Sequence, residues 1–156
     1  INMPGPWGIA GALTIRGQHT AGMFDRSRST LEWFRNVTGG NAGLYYEEIP
    51  LLPGSQQSWL GLVVWPSGEL PAFVVQHYLG LKFENSFVIV KPKLYPGSPA
   101  VKANLRFRND RLKLEIPGTG PYDYADVNGK RIELTKDGAL YLPYDFAGGT
   151  VKFHKR

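Results

Sequence analysis

The chain contains no cysteine. Disulfides and thiolate metal sites are therefore excluded, and the redox compartment is left open. No apolar run approaches the roughly 18 residues a membrane-spanning helix needs, because glycine, proline or charge breaks each one earlier. No membrane partner is expected. The opening Ile1-Asn2-Met3-Pro4 is neither a signal peptide nor an initiator sequence and reads as the interior of a longer chain. Localisation is undefined by any segment. Two further absences are regional: residues 1–81 hold no lysine, and all four tryptophans lie within the first 65 residues.

What is present points to a globular protein. The 156 residues are 42% hydrophobic and 13% aromatic, enough for one respectable core or two small ones. The 19 glycines and 12 prolines follow no period, so they mark frequent turns and short elements. The net charge of +5 is uneven. Residues 1–81 set four arginines against five acids, whereas residues 82–156 set fourteen Lys/Arg against eight. In that second part the basic residues alternate with apolar ones, the pattern of a solvated strand face. No recognition motif accompanies them, so nucleic acid is not the expected partner.

Hydrophobic spacing divides the chain near residue 81. Residues 1–81 read as helical. Pro6-Trp7 opens a helix with Trp7, Ala10, Leu13 and Ile15 on its apolar face, up to Gly17. Thr20 to Val37 reads as a second helix or helix pair. Thr38-Gly39-Gly40-Asn41 stops it. Ser55 caps a helix through Gln56–Trp65, Pro66-Ser67-Gly68 interrupts, and a last helix runs from Leu70 to about Gly80. From Lys82 the period changes to two. Phe87–Val90, Ala103–Arg108, Arg111–Ile116, Tyr124–Val127, Arg131–Leu134, Leu140–Leu142 and Thr150–His154 read as strands. Asn109-Asp110 and Asn128-Gly129 are placed as hairpin turns, the latter of type I′. The expected fold class is α+β: helical hairpins over 1–81, then an antiparallel β-sandwich over 82–156.

The chemistry-bearing stretch is Gly43-Leu44-Tyr45-Tyr46-Glu47-Glu48-Ile49. Adjacent residues on an extended segment point to opposite sides, so one acid faces a cleft if the other faces solvent. A carboxylate among aromatics suits a general base on a sugar, whose apolar faces stack on flat rings. The plain alternative is two surface acids in a loop. Trp7 and Trp59 stand beside loops and are candidate sugar platforms, whereas Trp33 reads as a core residue. His19 is a capping or surface residue, and His77 a core or interface one. His19, His77 and His154 lack metal-ligand spacing. Gly39–Gly43 lacks the Lys-Ser/Thr of a phosphate loop. No Ser-His-Asp signature is present. No cofactor is indicated.

The order of these motifs resembles the last hairpins of the (α/α)6-toroid glycoside hydrolases. There a Gly-Pro-Trp helix, here Gly5-Pro6-Trp7, precedes a Gly-x-x-Tyr-Glu loop, here Gly43 to Glu47. A Gln-x-Trp helix follows, here Gln57-Ser58-Trp59. In the phosphorylase and rhamnosidase relatives a terminal helix like Phe73–Leu81 leads into a strand like Phe87–Val90, and a β-sandwich follows. The resemblance implies that Glu47 is the general base of an inverting hydrolase, although Glu48-Ile49-Pro50 departs from the family loop and leaves Glu48 as the alternative. It implies that Trp7, Trp59, Tyr46 and Gln57 line the sugar subsite. It implies a carbohydrate partner and a general acid supplied by an upstream barrel segment; that segment, or a second copy of the chain, is the expected protein partner. The chain alone is then expected to be inactive. The competing reading is a non-catalytic carbohydrate-binding or scaffold β-sandwich.

Overall fold

A computed structural model describes residues 8–37 and 65–155, and the chain divides into two units between Val74 and Val75. The fold class is α+β, helices first and strands after.

The first unit contains α1 (Gly8–Thr20), α2 (Phe24–Val37) and α3 (Trp65–Phe73). Helix α1 does not stop at Gly17, whose Cα faces open space. It runs one turn further and closes where Gly22 adopts a φ of +79°. There the Gly22 amide donates to the His19 carbonyl at 3.0 Å and the Met23 amide to the Gln18 carbonyl at 2.8 Å. These two bonds form a Schellman cap, which satisfies carbonyls that the helix itself leaves open. The buried stripe of α1 also differs from expectation. Ala12, Ile15 and His19 are buried, whereas Ala10 and Leu13 are exposed. The spacing of three and four residues puts this stripe on one face. Phe34 and Ser27 are buried on α2, and Trp33 beside Phe34 is 37% exposed, so it is not the core residue expected.

Pro66 and Gly68 do not interrupt a helix. They fall in the first turns of α3, where a missing amide hydrogen costs nothing. Pro71 lies inside α3 and removes a donor there. A five-residue π-turn, Val74–Tyr78, follows directly. Such turns accommodate irregular helical hydrogen bonding.

The second unit is a sandwich of eight strands. These are β1 (Leu81–Glu84), β2 (Phe87–Val90), β3 (Val101–Phe107), β4 (Asp110–Ile116), β5 (Tyr122–Val127), β6 (Lys130–Glu133), β7 (Leu140–Pro143) and β8 (Gly149–Lys155). The smaller sheet has the order β1-β2-β7 and the larger β3-β4-β8-β5-β6. All pairings are antiparallel except β4 with β8, which is parallel. Alternate residues of both sheets meet in one core. Val88, Val90, Leu140 and Leu142 come from the small sheet, and Leu112, Leu114, Val151 and Phe153 from the large one. Every one of these side chains is at most 1% exposed.

The turns follow the expected chemistry with one displacement. Asn128-Gly129 joins β5 to β6, with Asn128 at φ +51°. The β3–β4 turn is Arg108-Asn109, one residue earlier than expected, and Arg108 takes φ +53°. Arg108 is held there by Tyr144. Its guanidinium donates to the Tyr144 carbonyl and lies 4.9 Å from the centre of the Tyr144 ring.

The entry to the sandwich is tight. The Lys91 amide donates to the Gly80 carbonyl, and the Lys93 amide to the Tyr78 carbonyl, each at 3.0 Å. Gly80 has a φ of +72°, and a Cβ there would sit 1.8 Å from the Lys91 carbonyl oxygen. Neither the conformation nor the space admits a side chain. Gly80→Ala is expected to destabilise the protein by about 3 kcal/mol or more, combining left-handed strain with a backbone clash. Urea unfolding checks this, and a loss below about 1 kcal/mol would contradict the packing described.

At the far end of β5, Tyr122 packs its ring 5.3 Å from Phe153 and donates its hydroxyl to the Gly118 carbonyl at 2.5 Å. Burial raises its pKa to about 12, outweighing a backbone hydrogen bond at Gly120. The folded state thus keeps this proton at a pH where the unfolded chain, near 10, releases it. The associated stability is complete below pH 10 and is lost as pH rises from about 10 to 12. Tyr122→Phe, which has no proton to lose, is expected to show a shallower fall of Tm over that interval than the parent.

Candidate functional site

None of Trp7, Tyr46, Glu47, Glu48, Gln57 and Trp59 lies among the described residues. The histidines are placed more fully. The His19 side chain is not at the surface. It is fully buried, with Phe24 at 5.3 Å and Phe73 at 5.1 Å, both edge-on, and so joins α1, α2 and α3 in one small core. Beside it Ser27 donates to the Ile15 carbonyl at 2.9 Å. His77 is half-buried in the π-turn. Among the described residues no three His, Asp or Glu side chains converge as a metal site would require. No described helix is long and apolar enough to cross a membrane.

The richest polar arrangement among the described residues is the outer face of the five-stranded sheet. Strand alternation creates it. Leu112, Leu114, Ala125, Val127, Val151 and Phe153 point to the core. Their neighbours therefore point away from it: Lys102, Asn104 and Arg106 on β3, Arg111, Lys113 and Glu115 on β4, Thr150, Lys152 and His154 on β8, Tyr124 and Asp126 on β5, and Arg131 and Glu133 on β6.

Register then sets these side chains in rows. Lys102 faces Glu115, Glu115 faces Lys152, Lys152 faces Asp126, and Asp126 faces Arg131. This row crosses all five strands with the sign alternating at each step. Opposite charges directly across a strand pair are favourable, so the row is self-compensated. The next row on one side holds Tyr124 between its neighbours. His154 of β8 stacks on the Tyr124 ring at 4.5 Å and 8°. Arg131 of β6 places its guanidinium 3.9 Å from the same ring centre. Because β8 and β6 flank β5, the tyrosine is enclosed from both sides. His154 Nε2 lies 2.8 Å from Asp126 Oδ2, close enough for an ion pair when protonated but without the alignment of a hydrogen bond. Arg131 Nε donates to Glu133 Oε1 at 2.7 Å, and that carboxylate holds the guanidinium proton more tightly than usual.

On the other side of the alternating row the compensation ends. Asn104 faces Lys113, which faces Thr150, and beyond them Arg106 faces Arg111. Arg106, Arg111 and Lys113 are exposed, and among the described residues none of them makes an ion pair.

Asn128 holds this corner together. Its side-chain oxygen accepts from the Thr150 amide at 2.8 Å, its side-chain amide donates to the Gly148 carbonyl at 3.2 Å, and its own amide donates to the Thr150 carbonyl at 2.9 Å. The β5–β6 turn is thereby fastened to the start of β8, next to Arg111.

Sequence reasoning placed the basic residues on a solvated strand face but did not find the Arg106–Arg111 pair or the Tyr124 enclosure. The signal for the first was the β3–β4 turn, and one residue of displacement there changes every cross-strand partner. The second depends on β8 lying beside β5, which no local signal carries. The chain matches no protein-family model, and no curated protein matches it.

The clamp at Asn128 generates a direct test. Asn128→Gly keeps the positive φ accessible but removes both side-chain hydrogen bonds. It is expected to cost about 1–3 kcal/mol and to speed amide exchange at Thr150. Unchanged exchange would show that the side chain does not secure β8.

Proposed function

We propose that this chain is the closing part of a glycoside hydrolase, with Glu47 as the general base and the β-sandwich as its scaffold. The observation that supports it is the order of elements. A capped helical hairpin, a third helix and then a two-sheet sandwich follow one another as the resemblance to the (α/α)6-toroid enzymes implies. Glu47 activates a water, Trp7, Tyr46, Gln57 and Trp59 hold the sugar, and the general acid comes from an upstream barrel segment. An inverting pair needs about 6.5–9.5 Å between the two carboxyl groups to admit that water.

A second reading is a non-catalytic carbohydrate-binding module. It is favoured by the outer face of the small sheet, where Phe87 and Tyr141 are 47% and 46% exposed and meet edge-to-face at 5.6 Å. Exposed rings of this kind suit the apolar faces of sugars.

A glycoside panel separates the two. The lone chain is expected to be inactive, and the protein with its upstream segment restored to hydrolyse at least one substrate. Glu47→Gln in the restored protein is expected to lower kcat by at least about a thousandfold, leaving KM little changed. Full activity in Glu47→Gln would refute the assignment. Glycan binding lost in Tyr141→Ala, without hydrolysis in any form, would favour the second reading.

A further inference from the structure

We propose that the outer face of β3, β4 and β8 binds an anionic polysaccharide, with the cross-strand pair Arg106 and Arg111, flanked by Lys113, as its anion site. Arg106 and Arg111 are directly opposite in the β3–β4 register. Side chains in that relation have Cβ atoms about 4.5–5.5 Å apart, and like charges so placed repel. Elsewhere on the same face each charge has an opposite partner, through Lys102, Glu115, Lys152, Asp126 and Arg131 in turn. Only at this end is the repulsion left standing among the described residues. Asn104 and Thr150, on either side of Lys113, supply neutral hydrogen-bonding groups to the same patch. A carboxylate or sulfate seated between two guanidinium groups removes the repulsion and takes paired, charge-assisted hydrogen bonds. Lys113, two residues along from Arg111 and about 7 Å away by strand geometry, meets a second anion.

The face selects against nucleic acid. A single strand needs exposed aromatic platforms, and both sides of the Tyr124 ring are taken by His154 and Arg131. A duplex needs a longer run of cations, whereas Glu115 and Asp126 interrupt this one. A polymer that offers an anionic group to this corner, without needing stacking platforms or a long cationic track, fits better. That the polymer is a glycan rests on the glycoside hydrolase reading, but the anion site does not.

Calorimetric titration of the full chain at low salt tests it, with polygalacturonate, dextran sulfate, neutral dextran and poly(dT) as probes. Both anionic glycans are expected to bind, with affinity falling as salt rises, and dextran not to bind. Binding of polygalacturonate alone would identify carboxylate as the recognised group, and binding of dextran sulfate alone would identify sulfate. The Arg106→Ser/Arg111→Ser double variant is expected to lose affinity at least about tenfold. Its Tm should match or exceed the parent's, because a repulsive pair is gone. Should that variant fold poorly, Arg111→Gln alone is expected to lose severalfold. Lys136→Ser, outside the face, is expected to bind as the parent does. Undiminished binding in the arginine variants, tighter binding of poly(dT) than of either glycan, or no glycan binding at all would overturn the proposal. Anion binding without hydrolysis by the upstream-restored protein leaves this site standing and removes the hydrolase reading. Hydrolysis without anion binding does the reverse.

Discussion

The second unit depends on one strand being inserted between two others. β3 and β4 form one hairpin, β5 and β6 another, and neither touches the other within the sheet. β8 lies between them, parallel to β4 and antiparallel to β5. Alone, a two-stranded hairpin is marginal in water. With β8 in place, Val151 and Phe153 complete the large sheet's share of the core, and the outer face becomes continuous across five strands. The hydrogen bonds of Asn128 to Gly148 and Thr150 fix where β8 begins, and so which residue of β8 faces which residue of β4 and β5.

That register divides one surface into two kinds. Over most of the outer face, the charges answer one another across the strands, and Tyr124 is closed in by its neighbours. At the corner formed by Arg106, Arg111 and Lys113, no acid stands directly across a strand from any of the three. The contrast arises from pairing alone. The same residues in a register shifted by two would set Arg106 against Lys113 and Asn104 against Glu115.

That shifted register is the one the sequence suggests. Asn109-Asp110 is a good turn by residue type, and a turn there pairs Arg108 with Arg111. The observed turn is one residue earlier because Arg108 is anchored to Tyr144, a contact from 36 residues away that no local signal reports. The same distinction explains most of what was and was not legible. Period-two stretches such as Arg111–Ile116 and turns such as Asn128-Gly129 show themselves locally, and their strands were readable. β1 was not, because Leu81–Glu84 is short and only pairing with Phe87–Val90 makes it a strand. The α1 stripe was misread because His19, counted as polar, is an interior residue between two phenylalanines. At Pro66-Ser67-Gly68, proline and glycine looked like a break, but the first turn of a helix tolerates both. The parallel pairing of β4 with β8 had no signal at all. Of the candidate sugar site, residue types and spacing carried everything that could be read, because Glu47 and its companions lie outside the described residues.

The position of β8 has a consequence for biosynthesis. Every strand that β8 joins precedes it in the chain, so the large sheet closes only after synthesis has passed Lys155. Until then the nascent protein carries two separate hairpins, with two inner edges on β4 and β5 whose backbone groups await a partner. Unpaired edges and exposed apolar faces are the features that draw chains into aggregates. Between the release of β6 and the arrival of β8, the inner edges of β4 and β5 are thus open to pairing with another chain.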